Sequence, residues 1–330
     1  MKTIASPLPA LLPRLCAALL AITTTSALAQ AWPSANPIRI VVPFAAGGPA
    51  DSLARFLGAK MSADLGQRVI VDNKAGAGGT IGAAEVAKSP PNGYTLLFSS
   101  TGALVIFPAL SSNLPYSPER DLIAVGQAVT TPQVIVVSSK SSYNSLDELV
   151  KTARASPGKL NFASAGNATT TQLGAELLKR DARIFMTHIA YRGAAPAITD
   201  LIAGNVDLMF ADLPAVIAFV KSGQLRALAL TDTKASALLP GVKTTAELGF
   251  KGVVSGTWYG LMTSAKTPDE IVNRINASLN KVLQQPETQT FLQAQGAISV
   301  GGPAADFEKF VKAESIKWSA IAKSVGVKLD

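Results

Sequence analysis

From Ile38 onward, short β-branched runs alternate with amphipathic helical patterns, and this alternation restricts the chain more than any other feature. A β-branched run needs sheet neighbours, and a stripe recurring every three to four residues needs a surface to cover. Their regular succession predicts βα units around a mostly parallel sheet, an α/β fold. Strands are predicted at IRIVVPF (38–44), RVIVDN (68–73), TLLFSS (95–100), QVIVVSS (133–139), LNFASA (160–165), MTHIAYR (186–192), VDLMFAD (206–212), LRALALT (225–231) and WYGLMTS (258–264). In 51–66, Leu53, Leu57, Met61 and Leu65 recur every four residues beside Phe56, one buried helical stripe. Segments 145–155, 170–181, 194–204 and 214–222 follow the same rule, and the C-terminal part turns helical over 268–284, 286–295 and 304–324. Pro268 before Asp269 and Glu270 suits a helix start, with acids at the positive end of the dipole.

The first residues belong to a different class. Lys2 and Arg14 precede an apolar stretch from Leu15 to Ile22, and Ala27-Leu28-Ala29 has the small-x-small pattern of a signal-peptidase site. That stretch is far shorter than the ~20 residues of a membrane span. Residues 1–29 are therefore predicted to be a signal peptide, cut after Ala29 or, as second choice, after Ala31, and the chain to be exported. Cys16, the one cysteine, leaves with it, and Pro13-Arg14-Leu15 in front of it argues against a lipid anchor. Without thiols, stability must come from apolar cores, and about 300 residues can build one or two. The formal charge of +8 falls to +6 once Lys2 and Arg14 are removed. The remaining basic residues are scattered, with no run and few aromatics among them, so no nucleic-acid partner is expected.

No repeat, low-complexity stretch or flexible linker divides the chain. Two domains would then be joined by ordered crossings, placed near Thr130-Thr131-Pro132 and near Leu228-Ala229-Leu230. The expected layout is a discontinuous lobe 1 (30–131 and 228–330) with lobe 2 (132–227) inserted into it.

The junction VVPFAAGGPADSLAR (41–55) runs from strand through glycines to helix. In a parallel sheet such a loop opens on the ligand crevice. Ala45, Ala46, Gly47 and Gly48 present little side chain, and Pro49 suits a first turn whose free N–H groups form an anion seat. Asp51 and Ser52 are candidate caps. An ordinary βα turn would also read this way. A second junction, 68–88, carries Gly76, Gly78, Gly79 and Gly82, but Ile81 stands where a dinucleotide fingerprint needs its third glycine, and no GK[ST] follows. Close packing of helix on sheet is the plain alternative. Two further strand ends carry hydroxyls: Ser99-Ser100-Thr101-Gly102, and Ser164-Ala165-Gly166-Asn167 with Thr169 to Thr171. Such groups at helix starts bind carboxylates or cap the helices.

Catalysis lacks parts. His188, the one histidine, lies among strand residues and reads as structural; with no cysteine either, an ordinary metal site is not expected, nor any cofactor. No G-x-S-x-G elbow exists, and no pair of acids is spaced for acid–base work. Asp212, closing VDLMFAD, is a base, a cap or a ligand contact. A binder fits better than an enzyme.

VVPFAAGGPADSLAR, then VIVDNKAGAGGTIGAAEVAKSPPNGYTLL, then YRGAAPAITDLIAGNVDLMFAD, in this order, resemble the tripartite tricarboxylate transporter substrate-binding proteins, the Bordetella-type uptake receptors. The resemblance covers essentially the whole mature chain. It implies a type II periplasmic binding protein fold, two α/β lobes closing at a hinge on a ligand cleft. It also implies a small carboxylate ligand held by Phe44 to Asp51 of one lobe and Ser164 to Thr169 of the other, partly through water. The ligand class would be an organic acid, an acidic amino acid or an aromatic acid. Members work in the periplasm and deliver solute to a permease of one large and one small subunit, driven by an ion gradient. Carried onto this chain, the resemblance implicates Phe44, Ala45, Gly47, Gly48, Asp51, Gly78, Thr80, Ser100 and Thr101 in the first lobe. In the second it implicates Ser164, Ala165, Gly166, Thr169, Arg192 and Asp212. Arg192 either faces a second ligand carboxylate or pairs with a surface acid. Ala45, Ala46 and Ala50 replace bulkier or hydroxylated residues common in relatives, which leaves the first-lobe contacts mainly to backbone. A monomer is expected. A receptor signalling to a membrane sensor kinase would need the same features.

Overall fold

The computed structural model describes residues 1–3, 32–111 and 113–327. The predicted signal peptide beyond residue 3, both cleavage positions and Cys16 lie outside them.

In chain order the elements are β1 (Ile38–Val42), α1 (Pro49–Leu65), β2 (Val69–Asn73), α2 (Thr80–Ala87) and β3 (Thr95–Ser100). A π-helical turn, Gly102–Ile106, runs into α3 (Phe107–Leu110), followed by α4 (Pro118–Asp121) and β4 (Leu122–Ser138). Then come α5 (Leu146–Ala155), β5 (Asn161–Ser164), α6 (Thr170–Ala182), β6 (Thr187–Ala190), α7 (Ala194–Ala203), β7 (Leu208–Asp212), α8 (Leu213–Lys221) and β8 (Leu225–Leu230). The chain closes with β9 (Gly256–Ser264), α9 (Asp269–Leu283), α10 (Pro286–Gln295), β10 (Ile298–Ser299) and α11 (Ala304–Val325).

Two sheets share one strand. β1 pairs in parallel with β2 and β3, β3 lies antiparallel to β9, and β9 pairs with β4 from Leu122 to Pro132. Beyond that point the same strand enters the second sheet, where Gln133–Val136 pairs with β7 and Val134–Ser138 with β8. β5 completes this sheet between β7 and β6, parallel to both. β4 is far longer than the 133–139 segment predicted. Its first half is disguised by Gly126 and by two register shifts, Ala124/Gly126 and Gln127/Val129. Pro132 pairs opposite Gly256 where the strand leaves the first sheet, a place that tolerates a missing donor.

Each sheet is covered on both faces. In the first lobe, Leu53, Leu57 and Met61 of α1 and Ile275 and Leu279 of α9 meet Ile40, Phe98 and Leu261 on one face. On the other, Phe307, Trp318 and Ala322 of α11 meet Leu97, Trp258 and Met262. Glu314 pins α11 by accepting the indole N–H groups of Trp258 (3.1 Å) and Trp318 (2.7 Å). In the second lobe, α5 and α6 cover one face through Leu149, Val150 and Leu178, and α7 and α8 the other through Ile198, Leu201 and Val216.

The second crossing falls at Ser255–Gly256 and not at Leu228–Leu230. Residues 231–255 lack long strands, yet Leu239 and Val253 are buried in second-lobe clusters, and the Ser255 N–H donates to Thr231 O at 2.9 Å. The inserted lobe therefore runs on to residue 255, beyond the predicted boundary at 227.

Gly260 of β9 lies directly under the Phe307 ring, so a Cβ there would overlap ring carbons. Overpacking of a tight core costs about 1–3 kcal/mol. Gly260→Ala is expected to lower the urea midpoint accordingly, and an unchanged midpoint would remove Phe307 from this contact.

Candidate functional site

Parallel strands followed by helices place every helix start at the same edge of a sheet. α1 follows β1, and α6, α7 and α8 follow β5, β6 and β7, so their N-termini come from two lobes toward one gap. A cavity there is lined by Phe44, Gly48, Pro49, Ala50 and Ser100 from the first lobe and Ala165, Thr169, Thr170, Thr171, Ala194 and Asp212 from the second. Thr257 and Tyr259 of β9 complete it. Its water-accessible interior is about 30 Å³, within about 430 Å³ of empty space that includes the mouth. The described lining holds no lysine, arginine or histidine and one acid.

Local chemistry shapes both loops. Pro49 is the first residue of α1 after Gly48, as its missing N–H allows. Asp51, not Gly48 or Ser52, supplies the side-chain acceptor, taking the Gly47 N–H at 3.0 Å while pairing with Arg55 at 2.9 Å. Burial pushes the Asp51 carboxyl up, but Arg55 and the Gly47 N–H outweigh it and hold it below the ordinary range. In the second lobe, Thr169 caps α6 by accepting the Gln172 N–H, and its hydroxyl donates to Gly166 O at 2.7 Å. Ala165 N–H donates to Thr171 Oγ1 at 3.0 Å.

His188 braces this second loop from behind. Gln172 Nε2 lies 3.2 Å from His188 Nδ1, while Nε2 of the ring lies 2.6 Å from Ser164 Oγ. The Gln172 amide donates, so the ring proton sits on Nε2 and points at Ser164, whose hydroxyl donates to Gly166 O at 3.0 Å. Phe162 stacks on the ring. Burial, with help from the Lys179 charge, lowers His188 to about 4.

Asp212 lies at the meeting point of the lobes, only 4 % exposed. Its Oδ1 accepts from Thr257 Oγ1 (2.6 Å) and Gln133 Nε2 (3.2 Å), and its Oδ2 from the Tyr259 hydroxyl. Gln133 also donates to Thr170 Oγ1 (3.0 Å) and accepts from Ser255 Oγ (2.7 Å). Burial raises Asp212 above the ordinary carboxyl range despite the three donors, and burial beside Asp212 raises the Tyr259 phenol.

Of the residues singled out by sequence, Phe44, Gly48, Ser100, Ala165, Thr169 and Asp212 line the cavity. Gly47 lines a neighbouring recess with Pro214 and Phe291. Ala45 and Arg192 meet across the lobes through backbone, Ala45 N–H donating to Arg192 O at 3.1 Å, and the Arg192 side chain is exposed. Gly78 faces the Asn167 carbonyl of the other lobe so closely that a Cβ would clash, and Gly166 passes within 3.5 Å of Gly78 Cα at the Cβ position. The Thr80 hydroxyl donates to Ala77 O at 2.9 Å, and Thr101 Oγ1 accepts the Trp258 N–H at 3.4 Å. Ser164 braces the loop as described. Sequence reasoning missed Gln133, Ala194, Thr257 and Tyr259. A glutamine heading the apolar run QVIVVSS was the available signal for the first.

A larger recess of about 730 Å³ lies between α4 and α11; two of its cations, Arg120 and Lys312, pair with Asp121 and Glu308, and Lys266 also lines it.

The model of the tripartite tricarboxylate transporter family receptors matches residues 53–327. This chain belongs to that family. A receptor of this kind binds and releases solute and is not an enzyme. The receptor is 40% identical over 306 residues to a protein of the tcbD–tcbE intergenic region of Pseudomonas sp. strain P51, covering 92% of this chain and 90% of that one. It is similar to the periplasmic binding protein BugD (TM-score 0.86, 33% identity, 89% and 99% of the two chains). It is also similar to the R. palustris protein Rpa4515, solved with adipate (0.87, 31%, 90% and 99%). MatC from Rhodopseudomonas palustris, solved with malate, matches at 0.84 and 29% identity over 87% and 99%. The receptor therefore has the type II periplasmic binding protein fold, two α/β lobes about a cleft.

A histidine whose folded value lies below the ordinary one of about 6.5 leaves the unfolded chain with more protons between those values. The stabilisation from neutral His188 is present above about 6.5 and is lost as pH falls toward about 4. His188→Gln is expected to flatten the fall of the urea midpoint over that window. An equal fall in both proteins would mean His188 is not buried neutral.

Proposed function

We propose that this receptor is periplasmic, binds a small carboxylate in the cleft between its lobes, and delivers it to an ion-gradient-driven permease of one large and one small subunit. The observation that carries the carboxylate reading is the convergence of four helix N-termini, those of α1, α6, α7 and α8, on one cavity whose described lining has no cationic side chain. Free N–H groups and aligned peptide dipoles favour an anion there. The Ser100 hydroxyl adds a donor, whereas Thr169 already gives its proton to Gly166 O. The candidate contacts are Phe44 to Asp51 and Ser164 to Thr169, one carboxylate being shared between the lobes. Relatives solved with adipate and malate support an acid as ligand.

An interior of about 30 Å³ has room for about two or three waters. An organic acid therefore enters when the lobes part, and it drives closure only as far as it binds the closed form better. The permease and the periplasmic location rest on the family and on the export signal read at residues 1–29.

Calorimetric titration of refolded, ligand-stripped receptor with succinate, malate, adipate, glutamate, nicotinate and terephthalate, and with their amides, tests this reading. Binding to an acid and not to its amide is the expected result; binding to none refutes the carboxylate assignment. A Cβ on Gly48 would meet only ordinary contacts, 3.5 Å to Ala45 O and 4.0 Å to Ala194 N. Gly48→Leu is therefore expected to fold, but to place its branch between the lobes and weaken binding by about tenfold or more, about 1.4 kcal/mol. Unchanged affinity in that variant would take the first loop out of the site.

A further inference from the structure

We propose that carboxylate binding in this cleft takes up one proton from solvent, and that Asp212 is the group that holds it. This rests on the carboxylate reading above and adds what happens to the one acid already in the site.

The cleft brings a ligand anion against Asp212 with no cation in the described lining to offset either charge. Neutral donors surround the Asp212 carboxyl: Thr257 and Tyr259 from β9 and Gln133 from β4, with Thr170 of α6 joined to the same set through Thr257 and Gln133. Tyr259 is the one titratable group among them. Asp51, the nearest acid of α1 in sequence to the lining, is committed to the Gly47 N–H, and Arg55 to Asp51. Two carboxylates sharing a water-poor site do not both stay ionised; one proton settles between them. Burial has already moved Asp212 in that direction before a ligand arrives.

The step balances as a proton added to an Asp212 oxygen, leaving the ligand anion to the helix N-termini. Tyr259 also lines the cavity, so once the protonated Oδ2 donates to its oxygen, the phenol hydrogen turns to the ligand anion as its acceptor. The proton thus stays with the hydrogen-bonded set at the hinge. A ligand that brings its own ammonium group would satisfy Asp212 ionised, and would need no proton.

Calorimetry of the refolded receptor with an ammonium-free acid from the panel, in buffers of different ionisation enthalpy, counts the protons. One proton per site is expected, with Kd rising by up to tenfold per pH unit above the pH at which Asp212 ionises in the ligand-free receptor. In Asp212→Asn, Kd is expected to lose this rise and the uptake to fall to zero. Because that variant alters the hinge, an infrared difference spectrum of the wild-type receptor provides a second readout. With the ligand carboxyls carbon-13-labelled, a protonated-carboxyl band from protein should appear on loading and be absent in Asp212→Asn. Acid binding without proton uptake, or uptake that persists in Asp212→Asn, overturns this proposal and leaves the carboxylate reading standing. Failure of every acid to bind overturns both.

Discussion

β4 and β9 cross between the lobes side by side, and the position of every ligand-facing element follows from where they cross. Gln133 is the first residue of β4 beyond the first sheet, and its amide spans Ser255 on the returning crossing, Thr170 at the start of α6 and Asp212 at the end of β7. A buried amide or carboxyl left without partners costs more than the bond itself contributes, so the set holds together or not at all. It fixes the two lobes' strand ends against each other at the floor of the cleft. Around the cleft mouth the lobes meet through backbone and glycine, as at Ala45 with Arg192 and Gly78 with Asn167, while behind it Leu173 packs on the first-lobe core and Ile321 and Val325 of α11 on the second. The backbone and glycine contacts form and break without exposing apolar surface, which suits the mouth of a cleft.

The same geometry explains how the proposed anion site would arise without a cation. Helices that follow parallel strands all start at the strands' carboxyl ends, so two lobes facing each other at those ends present several positive helix termini to one gap. Small residues at those starts, Gly48, Ala50, Ala165 and Ala194, let a ligand approach the backbone. Asp212 stands in this arrangement as the exception, an acid among helix N-termini, hydrogen-bonded to the crossing strands through Gln133, Thr257 and Tyr259, and the role proposed for it rests on that coupling.

Much of the fold was legible because its signals are local. IRIVVPF, TLLFSS and VDLMFAD are apolar enough to read as strands, and the stripe of Leu53, Leu57, Met61 and Leu65 marks α1. The first half of β4 was hidden because LIAVGQAVTTP carries a glycine, a glutamine and a proline whose partners, β9 and β10, lie more than a hundred residues away. Residues 231–255 read as connection because Leu239 and Val253 are buried singly rather than in a periodic stripe. The site divides the same way. Phe44, Gly48 and Thr169 sit at strand–helix junctions visible in sequence, whereas Thr257 and Tyr259 reach the cavity only through the crossing of β9, which no spacing encodes.

The central claim is that the lobes move about the β4–β9 crossing and close on an acid. Lys88, just after α2, and Thr199, within α7, are exposed and lie on opposite lobes. Spin labels at these two positions would report the distance between lobes by pulsed electron resonance. The account predicts a broad or longer distribution in the stripped receptor that collapses to one shorter distance when a binding carboxylate is added. An identical distribution before and after saturation would contradict it, and would make the cleft a fixed site.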